Sequence, residues 1–336
     1  MPKRVRLGVL GGAGIAKAAL FPAIGAARNA ELVAVGTRDP ERARQSLDLG
    51  SDVRLVSYES LIGDPNIDAI YVPLPNALHA EWSLKAAEAG KAVLCEKPLA
   101  LDAAEAERLA TRCAALGTPL MEGFMYRSHP QHERVRQILD AREIGDVTEV
   151  RAHLAVNIMD PPDAANVRFQ PELGGGALLD MGCYTVSICR FILEEEPVAV
   201  TCSWQIDPRF NVDVSAAGIL EFAGGRTGVV SCSFLGNSQG SYSVVGRRGV
   251  IEVPRGIIPG LGSRLGETLV IIADGDGRRR EELIEPVDQY RLMIESFSDA
   301  VLGQRPIPIH PDDSVRNMRV LDALALSARE ARRVVI

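Results

Sequence analysis

The first 125 residues alternate short apolar runs with stretches that have helical spacing. The apolar runs predict buried strands at residues 6–10, 32–35, 69–74, 92–95 and 119–124. The stretches between them predict helices at residues 15–26, 40–49, 77–89 and 103–116. Because a β-α-β alternation of this kind needs crossover helices, the strands are expected to form a parallel, doubly wound sheet.

After about residue 126 the hydrophobic pattern changes. One helical stretch at residues 132–139 is followed by β-branched runs with few crossover helices, at residues 147–156, 198–206, 216–222, 227–234 and 242–245. This pattern favours an antiparallel sheet. Two helices, residues 287–302 and 313–332, are predicted at the end. The chain is therefore predicted to have two domains, residues 1–125 and residues 126–336, with the C-terminal helices packing on either one.

Composition narrows the class of protein. The 336 residues are 46% hydrophobic and 24% charged, and the net charge of −7 argues against nucleic acid or an anionic membrane as a partner. We expect neither a secretory leader nor a membrane span, because the pattern offers no apolar stretch followed by a small-residue cleavage site and no apolar run of the length that a span needs. The six cysteines have no paired spacing and lie among apolar residues. We therefore expect reduced, buried thiols in a cytoplasmic protein.

The run at residues 92–95 leads directly into Glu96, Lys97 and Pro98. Pro98 ends the strand and keeps Lys97 out of helical geometry. Two charges are thus delivered to the carboxyl end of a buried strand, the edge where open α/β sheets bind ligands. The alternative is an ordinary strand end with two solvated charges.

A glycine-rich turn lies between the first strand and the first helix. In the dinucleotide-binding pattern Gly11 takes the first position, Ala13 the second and Ala16 the third. Ala13 departs from the usual glycine, and a shifted frame leaves Lys17 at the third position. The turn predicts a phosphate site at a helix N-terminus, with a purely structural turn as the alternative. The predicted contacts are Gly11, Gly12, Ala13, Gly14, Ile15 and Ala16.

The tip of the second strand points to the form of the dinucleotide. An NAD site usually has a carboxylate here, whereas this chain has Thr37 and Arg38 after Gly36, with Arg42 a turn later. Arginine binds phosphate bidentately, so NADP is expected in preference to NAD, with Thr37, Arg38 and Arg42 at the 2′-phosphate. Asp39 leaves a carboxylate nearby, and its alternative role is to cap the helix that begins at Pro40.

Four segments together resemble one protein family over nearly the whole chain. They are the glycine turn, residues 95–98 (CEKP), residues 121–131 (MEGFMYRSHPQ) and residues 174–184 (GGGALLDMGCY). The chain resembles the glucose-fructose oxidoreductase/inositol dehydrogenase/MocA family. The resemblance implies an α/β chain with an N-terminal Rossmann domain that binds NADP. It also implies a C-terminal α+β domain with a large, open, mostly antiparallel sheet, which binds substrate and forms a homodimer or homotetramer.

The resemblance also implies site residues. Lys97 would lie beside the nicotinamide, with a Lys97–Pro98 peptide that is often cis, and Asp180 would be a second catalytic residue. Tyr184 stands where most inositol dehydrogenases have histidine, which resembles the branch of aldose dehydrogenases, dimeric dihydrodiol dehydrogenases and sugar 3-ketoreductases. A tyrosine is a poor base at neutral pH, but a nearby lysine ammonium stabilises its phenolate. Asp180 lies four residues before Tyr184 on a predicted helix, where it either binds substrate or caps the helix.

Other residues carry weaker expectations. Pro73, Leu74, Asn76, His79 and Glu96 are expected at the cofactor edge, with an ordinary helix position as the alternative for His79. Arg127 and Arg168 either bind polar substrate groups or form surface salt bridges. His129 and His132 are three residues apart without a third ligand, so no metal is expected. The triple glycine at residues 174–176 either lets substrate approach the backbone or is simply a turn.

The leading hypothesis is an NADP-dependent oxidoreductase acting on a sugar-like polyol, most simply an aldose oxidised at C1 to the lactone. Lys97 and Tyr184 would transfer the proton, and Asp180 would orient the substrate. A ketosugar or dicarbonyl reductase, or a trans-dihydrodiol dehydrogenase, would use the same site. The alternative from another class is an NADP-binding sensor without turnover.

Overall fold

The computed structural model describes residues 3–260 and 265–336. The chain divides into two compact units. Of the described residues, the first unit comprises residues 3–128, 260, 265 and 288–315, and the second comprises residues 129–259, 266–287 and 316–336.

The first unit is built on a six-stranded sheet in the order β3-β2-β1-β4-β5-β6. Its strands are β1 Val5–Leu10, β2 Ala30–Gly36, β3 Arg54–Val56, β4 Ala69–Val72, β5 Ala92–Cys95 and β6 Leu120–Glu122. Each neighbouring pair is parallel, so the predicted doubly wound sheet is confirmed. Strands β4 and β5 are buried at every residue, as expected of strands covered on both faces.

Helices connect these strands: α1 Phe21–Ala26, α2 Pro40–Ser46, α3 Tyr58–Gly63, α4 His79–Glu88 and α5 Ala103–Leu116. The first connection differs from the expected single α-helix, because a π-helix, Ala16–Leu20, precedes α1. The strand order reverses between β1 and β4, and the crevice at such a switch point is the usual ligand site of this fold. Both the glycine turn and the loop after β4 lie at that edge.

The second unit contains a nine-stranded sheet in the order β14-β13-β12-β11-β7-β10-β9-β8-β15. The bounds are β7 Val147–Ala155, β8 Pro197–Asp207, β9 Val212–Phe222, β10 Thr227–Ser233, β11 Gln239–Gly246, β12 Gly249–Val253, β13 Thr268–Asp274, β14 Arg279–Ile284 and β15 Val334–Val335. The sheet is mostly antiparallel, as expected, and β7 with β10 is a parallel pair. Strands β12 to β15 were not predicted; β14 is largely exposed and charged and has no apolar alternation.

Helices α6 Pro130–Asp140 and α7 Cys183–Leu193 belong to the second unit, and α7 packs on β7 and β10. A π-helix, Leu178–Gly182, precedes α7. The run Pro171–Leu193 is long and apolar enough to cross a membrane by length and composition, contrary to the expectation. Within it, 89% of the most apolar window is buried inside the protein, as in the core helix of a globular domain.

The last two helices are α8 Gln289–Val301 and α9 Pro311–Glu330. Residues 288–315 belong to the first unit and residues 316–336 to the second. The chain therefore passes back into the first unit for α8 and the start of α9, and it ends in the second unit. All six cysteines are free and buried, as predicted.

Candidate active site

The glycine turn has the geometry of a phosphate cradle. Gly11 has a positive φ of 84°, and its amide donates to the Gly36 carbonyl at 2.8 Å, which joins the turn to the tip of β2. In the described part of the chain, the Gly12 and Ala13 amides have no hydrogen-bond acceptor. A Cβ atom on Gly14 would meet nothing within 4 Å, so the helix N-terminus faces open space. Free amides and open space fit a dinucleotide phosphate.

At the tip of β2, the side chains of Thr37 and Asp39 are engaged locally. The Asp39 amide donates to the Thr37 hydroxyl at 3.1 Å, and the Asp39 carboxylate accepts from the Arg42 amide at 3.0 Å. Asp39 therefore caps α2, as the alternative interpretation predicted. Arg38 and Arg42 are exposed, and neither forms an ion pair with the described residues. Two free guanidinium groups at this edge fit a 2′-phosphate.

Glu96 anchors the segment that follows β5. The Tyr71 hydroxyl on β4 donates to the Glu96 carboxylate, which also accepts from the Lys97 amide at 3.3 Å. Through these two bonds Glu96, which is 8% exposed, connects the carboxyl ends of the neighbouring strands β4 and β5. The Lys97–Pro98 peptide is cis, as the resemblance implied. Lys97 itself is half-buried.

His79 connects the two loops on either side of this edge. Its Nδ1 lies 2.7 Å from the Pro98 carbonyl oxygen and its Nε2 lies 2.7 Å from that of Leu74. Burial, aided by the Lys97 charge and opposed by the two carbonyls, lowers the pKa of His79 to about 4. A neutral imidazole has one N–H, so at neutral pH it donates to one of the two carbonyls at a time.

Glu122 is a buried group that the sequence reasoning did not single out. Its Oε1 accepts from the Leu99 amide at 2.9 Å, two residues beyond Lys97, and only 1% of the residue is exposed. Burial raises the pKa of Glu122 to about 7. A glutamate at the end of the apolar β6 was the available signal. Nearby, Arg127 pairs with Asp313 at 2.8 Å, so Arg127 forms a salt bridge inside the first unit.

In the second unit, Asp180 and Arg168 form an ion pair. Arg168 Nε donates to Asp180 Oδ2 at 2.7 Å; the Asp180 residue is 9% exposed, whereas the Arg168 side chain is 42% exposed. The pair therefore presents a polar edge to solvent. Asp180 does not cap its helix, because the cap comes from Asp213 on β9, whose Oδ2 accepts from the Leu178 amide at 2.7 Å. Burial raises the pKa of Asp213 to about 6.

The triple glycine is a packed turn. The Gly175 and Gly176 amides donate to the Gln170 and Arg168 carbonyls at 3.0 Å. Gly176 has φ of 113°, and a Cβ there would come 2.2 Å from the Asp213 carboxylate. Gly176 is needed for this close approach of the chain to Asp213, which supports the turn interpretation.

Tyr184 lies in the first turn of α7 and is 4% exposed. The expected i, i+4 relation to Asp180 on an α-helix is altered, because Asp180 lies in the π-helix and Tyr184 beyond its end. A π turn is wider than an α turn, so sequence spacing alone does not give the relative direction of these two side chains.

The predicted site residues thus fall into two groups. Within the first unit, the carboxyl edge of the parallel sheet brings together the glycine turn, the β2 tip, the loop after β4 and Lys97, and a Cβ on Gly11 would lie 3.3 Å from the Leu74 side chain. Asn76 begins a short 3₁₀ turn in that loop, after Pro73. Asp180, Arg168 and Tyr184 belong to the second unit. Within residues 3–260 and 265–336, no group of three His, Cys, Asp or Glu residues could hold a metal.

Comparison with known proteins gives two family matches. Residues 5–124 match the oxidoreductase family with an NAD-binding Rossmann fold, and residues 132–252 match the GFO/IDH/MocA C-terminal domain. The chain belongs to the GFO/IDH/MocA oxidoreductase family. The resemblance inferred from the four motifs is confirmed, and with it the assignment of the chain as an oxidoreductase.

Individual members of the GFO/IDH/MocA family are similar over nearly their full length. A D-xylose 1-dehydrogenase (NADP⁺) from Haloferax volcanii is 36% identical over 323 residues, which cover 96% of each chain. A dTDP-3,4-didehydro-2,6-dideoxy-α-D-glucose 3-reductase from Saccharopolyspora spinosa is 33% identical, with 99% of each chain covered. The crystal structure of a 3-ketoreductase from Actinomadura kijaniata in complex with NADP and TDP-benzene is 30% identical. It covers 97% of this chain and 98% of its own, with a TM-score of 0.90.

Proposed function

We propose that the protein is an NADP-dependent oxidoreductase of a sugar-like polyol, oxidising an aldose at C1 to the lactone. The observation that carries the proposal is the carboxyl edge of the parallel sheet, where a free-amide glycine turn, two unpaired arginines and Lys97 are arranged around one switch point. Bound NADP(H) supplies or accepts the hydride. The NADP dependence of the D-xylose relative supports the cofactor, and its substrate supports the aldose.

The cofactor is held by groups of the first unit. Amides of the glycine turn bind the diphosphate, and Arg38 and Arg42 bind the 2′-phosphate. The Thr37 hydroxyl, which donates to the Asp39 carbonyl at 3.2 Å in this structure, turns its proton to the same phosphate when the cofactor binds. Loss of the Arg38 charge should therefore weaken NADP more than NAD.

Proton transfer is assigned to Lys97 and Tyr184. The Tyr184 phenolate accepts the proton of the substrate hydroxyl during oxidation and returns it during reduction, and the Lys97 ammonium stabilises that phenolate. The Asp180 carboxylate, oriented by Arg168, accepts a hydrogen bond from a neighbouring substrate hydroxyl. The similarity to aldose dehydrogenases and sugar ketoreductases supports these roles.

A ketosugar reductase is the second candidate, because the same groups catalyse the reverse direction. The 3-reductase from Saccharopolyspora spinosa and the ketoreductase complex from Actinomadura kijaniata favour it. We also propose that the protein acts in the cytoplasm, where six free, buried thiols stay reduced, and that it assembles as a homodimer or homotetramer through the nine-stranded sheet.

The proposed function is tested by following nicotinamide absorbance with NADP and with NAD. The substrates are a panel of aldoses and trans-dihydrodiols, and in the reductive direction keto sugars with NADPH. We expect kcat/KM to be at least tenfold higher with NADP, with an aldose as the best substrate, and this preference to shrink in Arg38→Ala. A preference for NAD would overturn the cofactor assignment, and NADP binding without turnover on any substrate would favour the sensor.

A further inference from the structure

The residue at the start of α3, Tyr58, lies at the same edge as the glycine turn and the tip of β2. Ser57 caps α3, because its hydroxyl oxygen accepts a hydrogen bond from the Ser60 amide at 3.1 Å. This cap fixes the first residue of the helix and therefore the backbone position from which the Tyr58 side chain extends. Its ring lies against both glycines that form the edge. A Cβ on Gly36 would lie 3.0 Å from Tyr58 Cδ1, and a Cβ on Gly11 would lie 3.2 Å from the Tyr58 hydroxyl oxygen.

The ring of Tyr58 is held firmly in this position. Trp82 of α4 packs edge-on against it, with ring centroids 4.9 Å apart and an angle of 89°. Lys85 lies over the Trp82 ring at 4.1 Å from its centroid. An aromatic pair in this geometry contributes about 0.5–1.5 kcal/mol beyond its buried area, so the hydroxyl is presented at Gly11 by a pre-organised support.

The hydroxyl of Tyr58 is available to a ligand. Tyr58 is half-buried, and its hydroxyl has no hydrogen-bond partner among the residues that the structure describes. Burial raises the pKa of Tyr58, and the charge of Arg38 lowers it in part, which places a guanidinium within electrostatic reach of the phenol. The phenol is protonated at neutral pH and is a hydrogen-bond donor beside a cation.

We propose that Tyr58 is a further cofactor-binding residue, whose hydroxyl donates a hydrogen bond to the 2′-phosphate on the adenosine ribose of the dinucleotide, together with Arg38. The inference rests on the proposed NADP function. A ring that served only to fill space under Gly11 and Gly36 would need no oxygen, whereas a donor beside an unpaired arginine suits an anionic oxygen. Tyr58 would thus add a neutral donor to the positive charges that select NADP.

The test is the equilibrium binding of two nucleotide fragments to Tyr58→Phe, without turnover. Calorimetric titration of 2′,5′-ADP is expected to give a dissociation constant at least tenfold weaker than for the unsubstituted protein, since hydrogen bonds to charged groups are the stronger ones. Titration of 5′-ADP, which lacks the 2′-phosphate, is expected to change less than threefold. The matched control is Tyr242→Phe in the second unit, which loses a hydroxyl bonded to His132 at 2.9 Å and should leave both constants unchanged.

The outcomes separate the two proposals. If the unsubstituted protein binds neither fragment nor NADPH, the proposed function fails. If it binds and Tyr58→Phe binds equally well with an unchanged melting temperature, the role of Tyr58 fails alone. An equal loss for both fragments would overturn the 2′-phosphate assignment, because the contact would then be to a group that both fragments share.

Discussion

The position of the Lys97 loop depends on hydrogen bonds to buried side chains. His79, Glu96 and Glu122 each bond a backbone group within two residues of Lys97, and each is at most 8% exposed. A buried donor or acceptor that loses its partner costs about 1–3 kcal/mol, so removal of any one should move the loop.

Substitutions of His79 can test separately its hydrogen bonds to the Pro98 carbonyl and to the Leu74 carbonyl. Asparagine places its amide nitrogen near the Nδ1 position, which faces Pro98, whereas glutamine places it near the Nε2 position, which faces Leu74. If the Pro98 bond positions Lys97, His79→Asn should keep kcat within about threefold and His79→Gln should lower it about tenfold or more, with little change in KM. The exposed His310→Gln is the control. Equal kcat values for the two variants would contradict a positioning role.

At the residue scale, the sequence predicted the roles of those side chains that can be inferred from their immediate neighbours in the chain. Lys97 follows from a strand that ends in proline, and the capping role of Asp39 from its place before Pro40. Glu122, Asp213 and Tyr58 were not predicted, because their roles depend on partners 23, 35 and 47 residues away: Leu99, Leu178 and Gly11. Sequence patterns describe spacing within one helix or strand, so they cannot predict a contact between two elements that are this far apart in the chain.

At the scale of elements, the helix that carries Asp180 and Tyr184 begins at a half-buried carboxylate, that of Asp213 on β9. Asp213 on β9 replaces the local capping residue that α2, α3 and α5 have in Asp39, Ser57 and Asp102. The π-helix after this cap changes the angle about the helix axis between the Asp180 and Tyr184 side chains. A sequence pattern that assumes α-helical spacing could not show this change.

Asp213 gives a prediction about stability and pH. Its pKa is raised to about 6 in the folded protein, above its usual value of 3.8, so the folded state holds the proton more tightly between these values. This contribution to stability is complete below pH 4 and is lost as pH rises through 6. Relative to Asp213→Asn, which keeps the acceptor without the charge, the wild-type protein should lose up to about 3 kcal/mol of unfolding free energy between pH 4 and pH 7. Urea unfolding of both proteins across this range measures the difference, and a pH-independent difference would contradict the account.

At the scale of the whole molecule, the nine-stranded sheet has one buried and one open face. Strand register aligns Val200, Leu220, Gly228 and Val150 on the buried face, where the three large side chains are 0% exposed. On the other face it aligns Thr201, Ile219, Val229 and Arg151, where Ile219 is 48% exposed.

If that open face forms the proposed subunit contact, sedimentation equilibrium at micromolar concentration should give a dimer or tetramer. A lysine in place of Ile219 would bury a charge in the contact, so Ile219→Lys should shift the protein towards the monomer while the melting of the monomer unit is little changed. The exposed Leu116→Lys at the end of α5, in the first unit and away from the sheet, is the control. A monomeric wild-type protein would contradict the proposal.

The central claim is proton transfer by Lys97 and Tyr184 during NADP-dependent oxidation of a sugar, and single-turnover kinetics test it most directly. The enzyme with bound NADP is mixed with the best aldose, and the rate of NADPH formation is compared among the wild-type protein, Tyr184→Phe and Lys97→Met. The account predicts a rate about 10²–10⁴-fold lower in each variant, with the NADP dissociation constant within threefold of wild type. Near-wild-type rates in both variants with cofactor bound would contradict it.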